Sequence, residues 1–271
     1  LHTAGVPLSK VRAIGIACPG PMSVRRGMML ESPNMPGWIN VPVVRWVRNT
    51  FRRPVFIDND ANACGLAEWL FGSHKGARNL VYLTMSSGLG GGIIVNGRIA
   101  QGTNDLFGEV GHHVIDPKGP RCPCGRRGCW EVYCGGINAA NALRRDITAR
   151  RVRTAILDAA GGDPARIDFK AFLTAVKKRD AYALRAWKQY IEHLAHGIGT
   201  IIQFYNPEVI LLGTIGIHAG NTLLVPLRKA VLRYAWKVGV RACVIRPSAL
   251  GTKIGDLSAL AVAVCGLKPP R

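Results

Sequence analysis

Short apolar runs alternate with polar turns in the first third of the chain. Residues 11–21 (VRAIGIACPGP) form an apolar run that ends in proline and glycine, which predicts a strand that enters a turn. Residues 54–57 predict a second strand, and the alanines and leucines after it recur with helical spacing. Residues 79–102 predict a strand, a glycine-rich turn, another strand and an Asn-Gly hairpin.

Longer helical patterns fill the second half of the chain. Residues 136–200 carry apolar side chains at three- and four-residue spacing, interrupted near 161–164 by the sequence GGDP. A buried strand is predicted over 208–214, and an apolar helix over 258–267. Because strands alternate with helices, the pattern predicts an α/β fold.

Polar turns follow predicted strands at two places, near 58–60 and near 86–92. Ligands of α/β proteins bind beyond the carboxyl ends of the strands. The two turns therefore suggest two lobes that face a ligand cleft. A chain of 271 residues, 48% of them hydrophobic, is long enough to bury such a core.

Composition and charge restrict the cellular location and the kinds of partner that we expect. No apolar run approaches the roughly 20 residues that span a bilayer, and the chain does not start with a signal-peptide pattern. We therefore expect a soluble, cytoplasmic protein without membrane contact, whose eight cysteines are thiols or metal ligands rather than disulfides. The net charge of +20 favours polyanionic partners, but the basic residues are scattered. This is typical of a generally basic surface, with a nucleic-acid face as the alternative.

Residues 109–131 (EVGHHVIDPKGPRCPCGRRGCWE) concentrate histidine, cysteine and glutamate. The candidate metal ligands follow the spacing H-x9-C-x-C-x4-C and are His112, Cys122, Cys124 and Cys129. Structural zinc takes four tetrahedral ligands of this kind, so the spacing predicts a zinc site in a loop rich in glycine and proline. His113 and Cys134 are rival ligands that the spacing leaves open, and free thiols in a flexible loop are the alternative.

Two further motifs carry candidate chemistry. The sequence Asp58-Asn59-Asp60 ends a strand and enters a helix, so one carboxylate is a candidate general base and the amide a candidate partner for a hydroxyl. The same residue types are also typical helix N-caps.

Residues 84–94 (TMSSGLGGGII) place Ser87 and several glycines on a tight turn whose backbone N–H groups suit phosphate oxygens, with an ordinary glycine-rich hairpin as the alternative.

Taken together, the motifs resemble the ROK family of sugar kinases and sugar-responsive repressors. The matching motifs are DNDANA (58–63), TMSSGLGGG (84–92), GEVGHH (108–113) and CPCGRRGCWE (122–131). The resemblance runs through nearly the whole chain. It implies an α/β, actin-like (ribonuclease-H-like) two-lobed sugar kinase fold with a structural zinc loop. The lobes are predicted as a small one over 1–77, joined by the C-terminal helix 256–271, and a large one over 78–255.

The resemblance also implies roles for single residues. Asp60 would be the catalytic base that takes the proton of the attacking sugar hydroxyl. The implied sugar-binding residues are Asn34, Asn59, Glu109, His112 and Glu131. The implied nucleotide-binding residues are Ser87, Gly88 and Gly213. The implied zinc ligands are His112, Cys122, Cys124 and Cys129, and the metal would fix Glu131 in a loop that is otherwise flexible.

The sequence departs from the family pattern at three places. The family's first phosphate loop, Asp-x-Gly-Gly-Thr near the N-terminus, does not occur in this sequence. Its place would lie upstream of Leu1, which suggests truncation, with a pseudokinase as the alternative, so the 271-residue chain by itself is expected to phosphorylate poorly or not at all. Ser86-Ser87-Gly88 stands where the second loop usually has Gly-Thr-Gly, and Gly213-Thr214 where the adenosine side usually has Gly-Gly.

The resulting hypothesis is that the protein phosphorylates a hexose with ATP. The hexose would be D-glucose, the product glucose 6-phosphate, and the pathway glycolysis. N-acetylmannosamine and fructose are alternative substrates. The resemblance implies structural Zn²⁺, ATP as co-substrate, Mg²⁺, and a homo-oligomer, either a dimer or a tetramer. A sugar-sensing repressor of the same fold is the alternative function, and nucleic acid is an expected partner only in that case. A metal-stabilised sugar-binding protein without catalysis is the third.

Overall fold

The computed structural model describes residues 5–31 and 37–268. Asn34 lies outside the described residues, so its contact with a sugar stays a prediction. The described chain divides into two compact units, here called the first and second unit. The first unit takes its residues from Leu1–Tyr82, Gly91–Gly108 and Ala249–Arg271, and the second from Leu83–Gly90 and Glu109–Ser248. The predicted lobe boundaries stay a prediction.

Helices and strands alternate along the described residues, as the apolar pattern predicts. The strands are β1 (Ile14–Cys18), β2 (Met22–Ser23), β3 (Met28–Met29), β4 (Val55–Asn59), β5 (Leu80–Leu83), β6 (Gly91–Val95), β7 (Arg98–Ile99), β8 (Val209–Leu212) and β9 (Val244–Pro247). The α-helices are α1 (Val43–Phe51), α2 (Asp60–Phe71), α3 (Trp130–Cys134), α4 (Gly136–Arg150), α5 (Ala155–Ala159), α6 (Phe169–Lys177), α7 (Ala181–Tyr205), α8 (Thr214–Ala219), α9 (Asn221–Val231), α10 (Lys237–Ala242) and α11 (Ile254–Leu267).

The first unit is built around the parallel pair β1 and β4. Its register runs from Ile14 opposite Val55 to Cys18 opposite Asn59. Helices α2 and α11 pack against each other, and α11 covers β1. An apolar cluster of Leu66, Ala67 and Ala261 lies between the two helices. In the same unit β6 lies between β5 and β7, and β6 and β7 form an antiparallel hairpin.

Two local predictions in the first unit can be compared with the observed elements. The hairpin turn at Asn96-Gly97 is confirmed, with positive φ angles of 51° and 74° that suit a tight two-residue turn. The strand predicted over 54–57 extends further, to Asn59, because Asp58 and Asn59 continue the pairing with β1. The polar residues that end this strand are therefore fixed by sheet pairing before the helix begins.

The second unit is mainly helical around the parallel pair β8 and β9. Its longest helix, α7, packs against α9 and against α3. The helical pattern over 136–200 is confirmed in outline, but it is broken between α4 and α5 as well as near the predicted 161–164. Among the helices of the described chain, none combines the length and the apolar character that crossing a bilayer requires.

Candidate functional site

The four predicted metal ligands lie together in the second unit. The ligand atoms of His112, Cys122, Cys124 and Cys129 all lie within 4.8 Å of one another. His112 Nδ1 is 3.6 Å from Cys122 Sγ, and Cys124 Sγ is 3.5 Å from Cys129 Sγ. In a zinc tetrahedron, bond lengths of about 2.3 Å to sulfur and about 2.0 Å to nitrogen imply S···S edges of about 3.8 Å and S···N edges of about 3.5 Å. The cluster therefore fits a tetrahedral metal ion of this kind.

The two rival ligands do not join the cluster. His113 points its Nδ1 at the carbonyl oxygen of Val110, at 2.6 Å, and its ring packs 5.3 Å from the ring of Trp130. Cys134 is fully buried in α3, where its carbonyl accepts a hydrogen bond from the hydroxyl of Tyr190. The structure thus selects His112 and the three nearer cysteines.

The cysteine loop folds around two tight turns. The N–H of Cys122 donates to the carbonyl of Arg126 at 2.8 Å. Gly128 has a φ of +68°, and a Cβ there would lie 1.5 Å from the carbonyl oxygen of Asp116, so a side chain is excluded. Burial, reinforced by hydrogen bonds that the Cys129 thiol donates to its neighbouring thiols, raises the pKa of Cys129 to about 12. Metal binding would have to displace that proton, as is usual for thiolate ligands.

His112 presents its two ring nitrogens to different groups. It ends the short 3₁₀ turn Val110–His112, with Glu109 at the N-cap of that turn. Nδ1 faces Cys122, whereas Nε2 lies 3.9 Å from Oε2 of Glu109. Glu109 and His112 therefore lie side by side at this 3₁₀ turn. One nitrogen can ligate a metal while the other remains on the side of Glu109.

Glu131 is fixed by hydrogen bonds to residues that are distant in the sequence, in addition to its position next to the cysteine loop. It follows Trp130 at the start of α3. The buried indole of Trp130 donates a hydrogen bond to the carbonyl of His193 on α7, at 2.9 Å. The Oε2 atom of Glu131 accepts a hydrogen bond from the backbone N–H of Leu89, at 2.8 Å.

Leu89 belongs to the glycine-rich loop 84–90, which also lies in the second unit. The start of α4 fixes this loop, because Gly136 donates its N–H to the carbonyl of Ser86 at 2.8 Å and Ile137 donates to Ser87 at 3.1 Å. Within residues 5–31 and 37–268, the backbone N–H groups of Ser87 and Gly88 have no hydrogen-bond acceptor. These two donors are available for an anionic ligand such as phosphate.

Gly213 lies beside the start of the same loop. It lies between β8 and α8 as the N-cap of α8, and its N–H donates to the carbonyl of Leu83 at 2.8 Å. The next two residues continue this pairing, with Thr214 bonded to Thr84. In the second unit, the segment that starts at Gly213 therefore pairs with the residues that precede Ser87 and Gly88, so the three predicted nucleotide-binding residues belong to connected segments.

The side chains of Asp58 and Asn59 accept hydrogen bonds that stabilise the junction between β4 and α2. Asp58 is 5% exposed and accepts hydrogen bonds from the N–H of Asn59 at 2.8 Å and from Nδ2 of Asn62 at 2.9 Å. Burial raises the pKa of Asp58, although these hydrogen bonds oppose the shift. Asn59 is the N-cap of α2, since its Oδ1 accepts from the N–H of Ala61 at 2.8 Å. Within the part of the chain that the structure describes, its Nδ2 has no hydrogen-bond acceptor and can donate to a ligand hydroxyl, so the capping and binding interpretations are compatible.

Asp60 occupies the first position of α2 and is an exposed residue. Its Oδ1 accepts a hydrogen bond from the N–H of Ala61 at 2.8 Å. Surrounding protein atoms reduce the hydration of the carboxylate, which raises the pKa of Asp60 above its ordinary value, while the bond from Ala61 opposes this shift. A reachable carboxylate with a raised pKa is suited to accept a proton.

Sequence reasoning missed two partners of this junction. Gln101 donates from Nε2 to Oδ2 of Asp58 at 2.8 Å, and its Oε1 accepts from Asn62 at 3.3 Å. Asn62 could have been found, because it lies one helical turn after Asp58. Gln101 lies 43 residues from Asp58 and carries no local signal of the contact.

Comparisons with known proteins agree with this fold. The family model described as "ROK family" matches residues 6–264. A glucokinase from Thermotoga maritima is 33% identical over 241 residues, which cover 88% of this chain and 72% of that protein. A crystal structure of a ROK family glucokinase from Streptomyces griseus in complex with glucose and AMPPNP superposes with a TM-score of 0.82 at 28% identity, covering 94% of this chain and 82% of the other. A xylose repressor from Bacillus spizizenii is 27% identical and covers 93% of this chain and 60% of the repressor.

The mixed α/β architecture is that of the actin-like sugar kinases. The chain belongs to the ROK family. The predicted family and the predicted hexokinase-type class are therefore confirmed.

Proposed function

We propose that this protein transfers the γ-phosphoryl group of ATP to a hexose, with D-glucose as the substrate and glucose 6-phosphate as the product. The similarity to glucokinases supports this reaction, and the solved relative with bound glucose and AMPPNP supports the pairing of sugar and ATP. A cytoplasmic location, a role in glycolysis and assembly into dimers or tetramers are part of the same proposal.

Asp60 is the general base in this proposal. It takes the proton from the sugar hydroxyl as that oxygen attacks the γ-phosphorus, while the Nδ2 group of Asn59 holds a neighbouring hydroxyl. The observation that carries the assignment is the position of the Asp60 carboxylate, on an exposed residue at the strand–helix junction. Its raised pKa is consistent with this role. Phosphoryl transfer depends on positioning and charge stabilisation, and a base of this kind contributes typically about 10²–10⁴-fold in rate.

Further residues have proposed roles toward the two substrates. Glu109, His112 and Glu131 orient the sugar ring in this proposal, together with Asn34. The free N–H groups of Ser87 and Gly88 bind phosphate oxygens, with Gly213 on the adenosine side and Mg²⁺ accompanying ATP. Hydrogen-bond donors that are fixed before the substrate arrives cost no reorganisation during the reaction.

We also propose that the cluster of His112 and three cysteines binds one structural Zn²⁺. The donor set and the interatomic distances fit such an ion. When bound, the zinc would supply a rigid crosslink of the loop rather than a chemical step. The chain's own residues then act from fixed positions: His112 keeps Nε2 on the side of Glu109, and Glu131 keeps its carboxylate beside Leu89.

A sugar-sensing repressor is the second candidate, and the match to a xylose repressor favours it. N-acetylmannosamine and fructose are the alternative substrates for a kinase. The test is ATP-dependent ADP release by zinc-loaded protein with glucose, N-acetylmannosamine, fructose and mannose, with the 271-residue chain measured beside the product of the complete gene. Turnover on one sugar establishes the kinase and its substrate. Sugar binding without turnover by either protein would contradict the kinase and support the sensor.

A further inference from the structure

Glu131 is connected through its side chain to the glycine-rich loop 84–90. Its Oε2 accepts from the backbone N–H of Leu89, 42 residues earlier, at 2.8 Å. A carboxylate acceptor makes such a bond stronger than a bond between neutral groups. Among the residues that the structure describes, no hydrogen bond reaches the other oxygen, Oε1. The two oxygens of one carboxylate therefore have different surroundings.

Gly88 is packed directly against the same carboxylate. A Cβ added at Gly88 would lie 2.5 Å from Oε2 of Glu131 and 3.3 Å from its Cδ. The backbone of Gly88 is outside the left-handed region, so an alanine would be unstrained there apart from this contact. The missing side chain at Gly88 is thus what allows the carboxylate of Glu131 to approach the loop.

The backbone that follows Glu131 holds the loop as well. Gly135 donates its N–H to the carbonyl of Glu131 at 2.8 Å, and the next residue, Gly136, donates to Ser86 at 2.8 Å. The loop is therefore fixed on both sides of the two unpaired amides of Ser87 and Gly88. A movement of Glu131 would shift the donors that the proposed function assigns to phosphate.

We infer that Glu131 serves both substrates at once: Oε2 positions the phosphate loop through Leu89, and Oε1 contacts the sugar. This inference rests on the proposed function, in which Glu131 orients the hexose. A hexose bound at Oε1 restrains the carboxylate and, through it, the amides of Ser87 and Gly88. Hexose and nucleotide therefore bind with positive coupling, and each raises the affinity of the other by the same factor.

Gly88→Ala tests this inference with little risk to the fold. The clash falls on the end of a flexible side chain, so Glu131 moves away while the surrounding backbone is kept. Gly255→Ala is the matched control, because a Cβ there meets no atom within 4 Å and the residue lies in α11 with ordinary backbone angles. Zinc content and thermal unfolding of both variants verify that they fold.

The measurement is calorimetric titration of the zinc-loaded 271-residue chain with D-glucose and with AMPPNP, each alone and in the presence of the other. For the wild type we expect glucose to tighten AMPPNP binding about fivefold or more. For Gly88→Ala we expect the glucose Kd to rise about tenfold, since a hydrogen bond to a charged group is lost, and the coupling to disappear. Gly255→Ala should behave as the wild type. Unchanged glucose affinity and unchanged coupling in Gly88→Ala would overturn the inference.

Hydrogen exchange at the amide of Leu89 separates this inference from the proposed function, because it needs no ligand. Glu131→Ala should lose protection at Leu89, whereas Glu131→Gln should keep it, since its amide oxygen still accepts a hydrogen bond. If the wild type binds none of the hexoses, the proposed function fails, and the sugar half of the inference fails with it. If Leu89 is equally protected in wild type and Glu131→Ala, the link itself is wrong even where glucose binds.

Discussion

The junction at residues 58–62 and the metal-ligand loop at residues 112–131 hold functional side chains by different physical means. In the junction, regular secondary structure fixes the polar residues: β4 pairs with β1 as far as Asn59, and α2 starts at Asp60. In the metal-ligand loop, regular structure is short, and four side chains converge on one point.

This difference predicts two kinds of response to mutation. The junction depends on several separate hydrogen bonds, each a modest contribution, so damage there should accumulate step by step. The metal-ligand loop depends on a single ion, which needs all four ligands to close its coordination shell. Losing one ligand should therefore remove most of the stabilisation at once.

The largest expected effect belongs to the junction, at Asp60. Asp60→Asn keeps the size of the side chain but removes the proton acceptor. In the product of the complete gene we therefore expect kcat to fall about 10²–10⁴-fold while glucose still binds. A coupled assay of ADP release measures kcat, and calorimetry measures glucose binding. Asp256→Asn is the matched control, because Asp256 is an exposed aspartate in the first turn of α11. Full activity in Asp60→Asn would show that this carboxylate is not the base.

The next largest effect belongs to the metal-ligand loop. Cys124→Ser should lose the zinc, which we expect at one equivalent per chain, and raise the glucose Kd about tenfold, because Glu131 loses one of its restraints. Metal analysis and calorimetry on the same sample measure both effects. Cys265→Ser, at a half-buried thiol outside the cluster, should change neither. Normal glucose affinity in a zinc-free variant would refute the idea that the metal organises Glu131.

A smaller effect is expected at Asp58. Asp58→Ala leaves the donors on Asn59, Asn62 and Gln101 without their acceptor, so we expect the free energy of unfolding to fall by about 3 kcal/mol. Asp58→Asn should lose less, because its amide oxygen still accepts from two of the three donors. Urea unfolding of both variants measures the difference. Equal stability of the alanine and asparagine variants would contradict the assigned role of the carboxylate.

The smallest expected effect is a displacement of the pH profile. The pKa of Asp60 is raised, so as the pH falls Asp60 takes up its proton earlier than an ordinary aspartate does. The acid limb of kcat/KM should therefore have its midpoint above 3.8, the ordinary value. Circular dichroism over the same pH range controls for unfolding. A midpoint at or below the ordinary value would contradict the raised pKa.

The two regions also differ in how far the sequence predicts them. The junction follows from local rules, because a strand pattern, an N-capping asparagine and a helical pattern adjoin one another. The metal ligands follow from spacing, yet spacing could not choose between His112 and His113. The structure makes that choice through the 3₁₀ turn, which directs one imidazole to the cysteines and the other to the carbonyl of Val110.

Contacts between distant residues escaped prediction for a common reason. Gln101 meets Asp58, and Leu89 meets Glu131, across 43 and 42 residues of chain. In the second contact the donor is a backbone N–H, a group that every residue except proline carries. Such a group gives no compositional signal, so only the folded chain shows that the loop and Glu131 are joined.

The packing of Trp130 has a consequence for protein engineering. Its indole is completely buried and occupies the space that a side chain at Gly197 would need, since a Cβ there would lie 2.0 Å from the ring. Its backbone N–H also donates to the carbonyl of His113, at 2.9 Å. Both ends of the metal-ligand loop are thereby fastened to a framework made only of protein atoms. A designed hairpin without metal ligands could therefore replace the cysteine-containing part of this loop. Such a variant would keep its loop structure in buffers that contain a metal chelator.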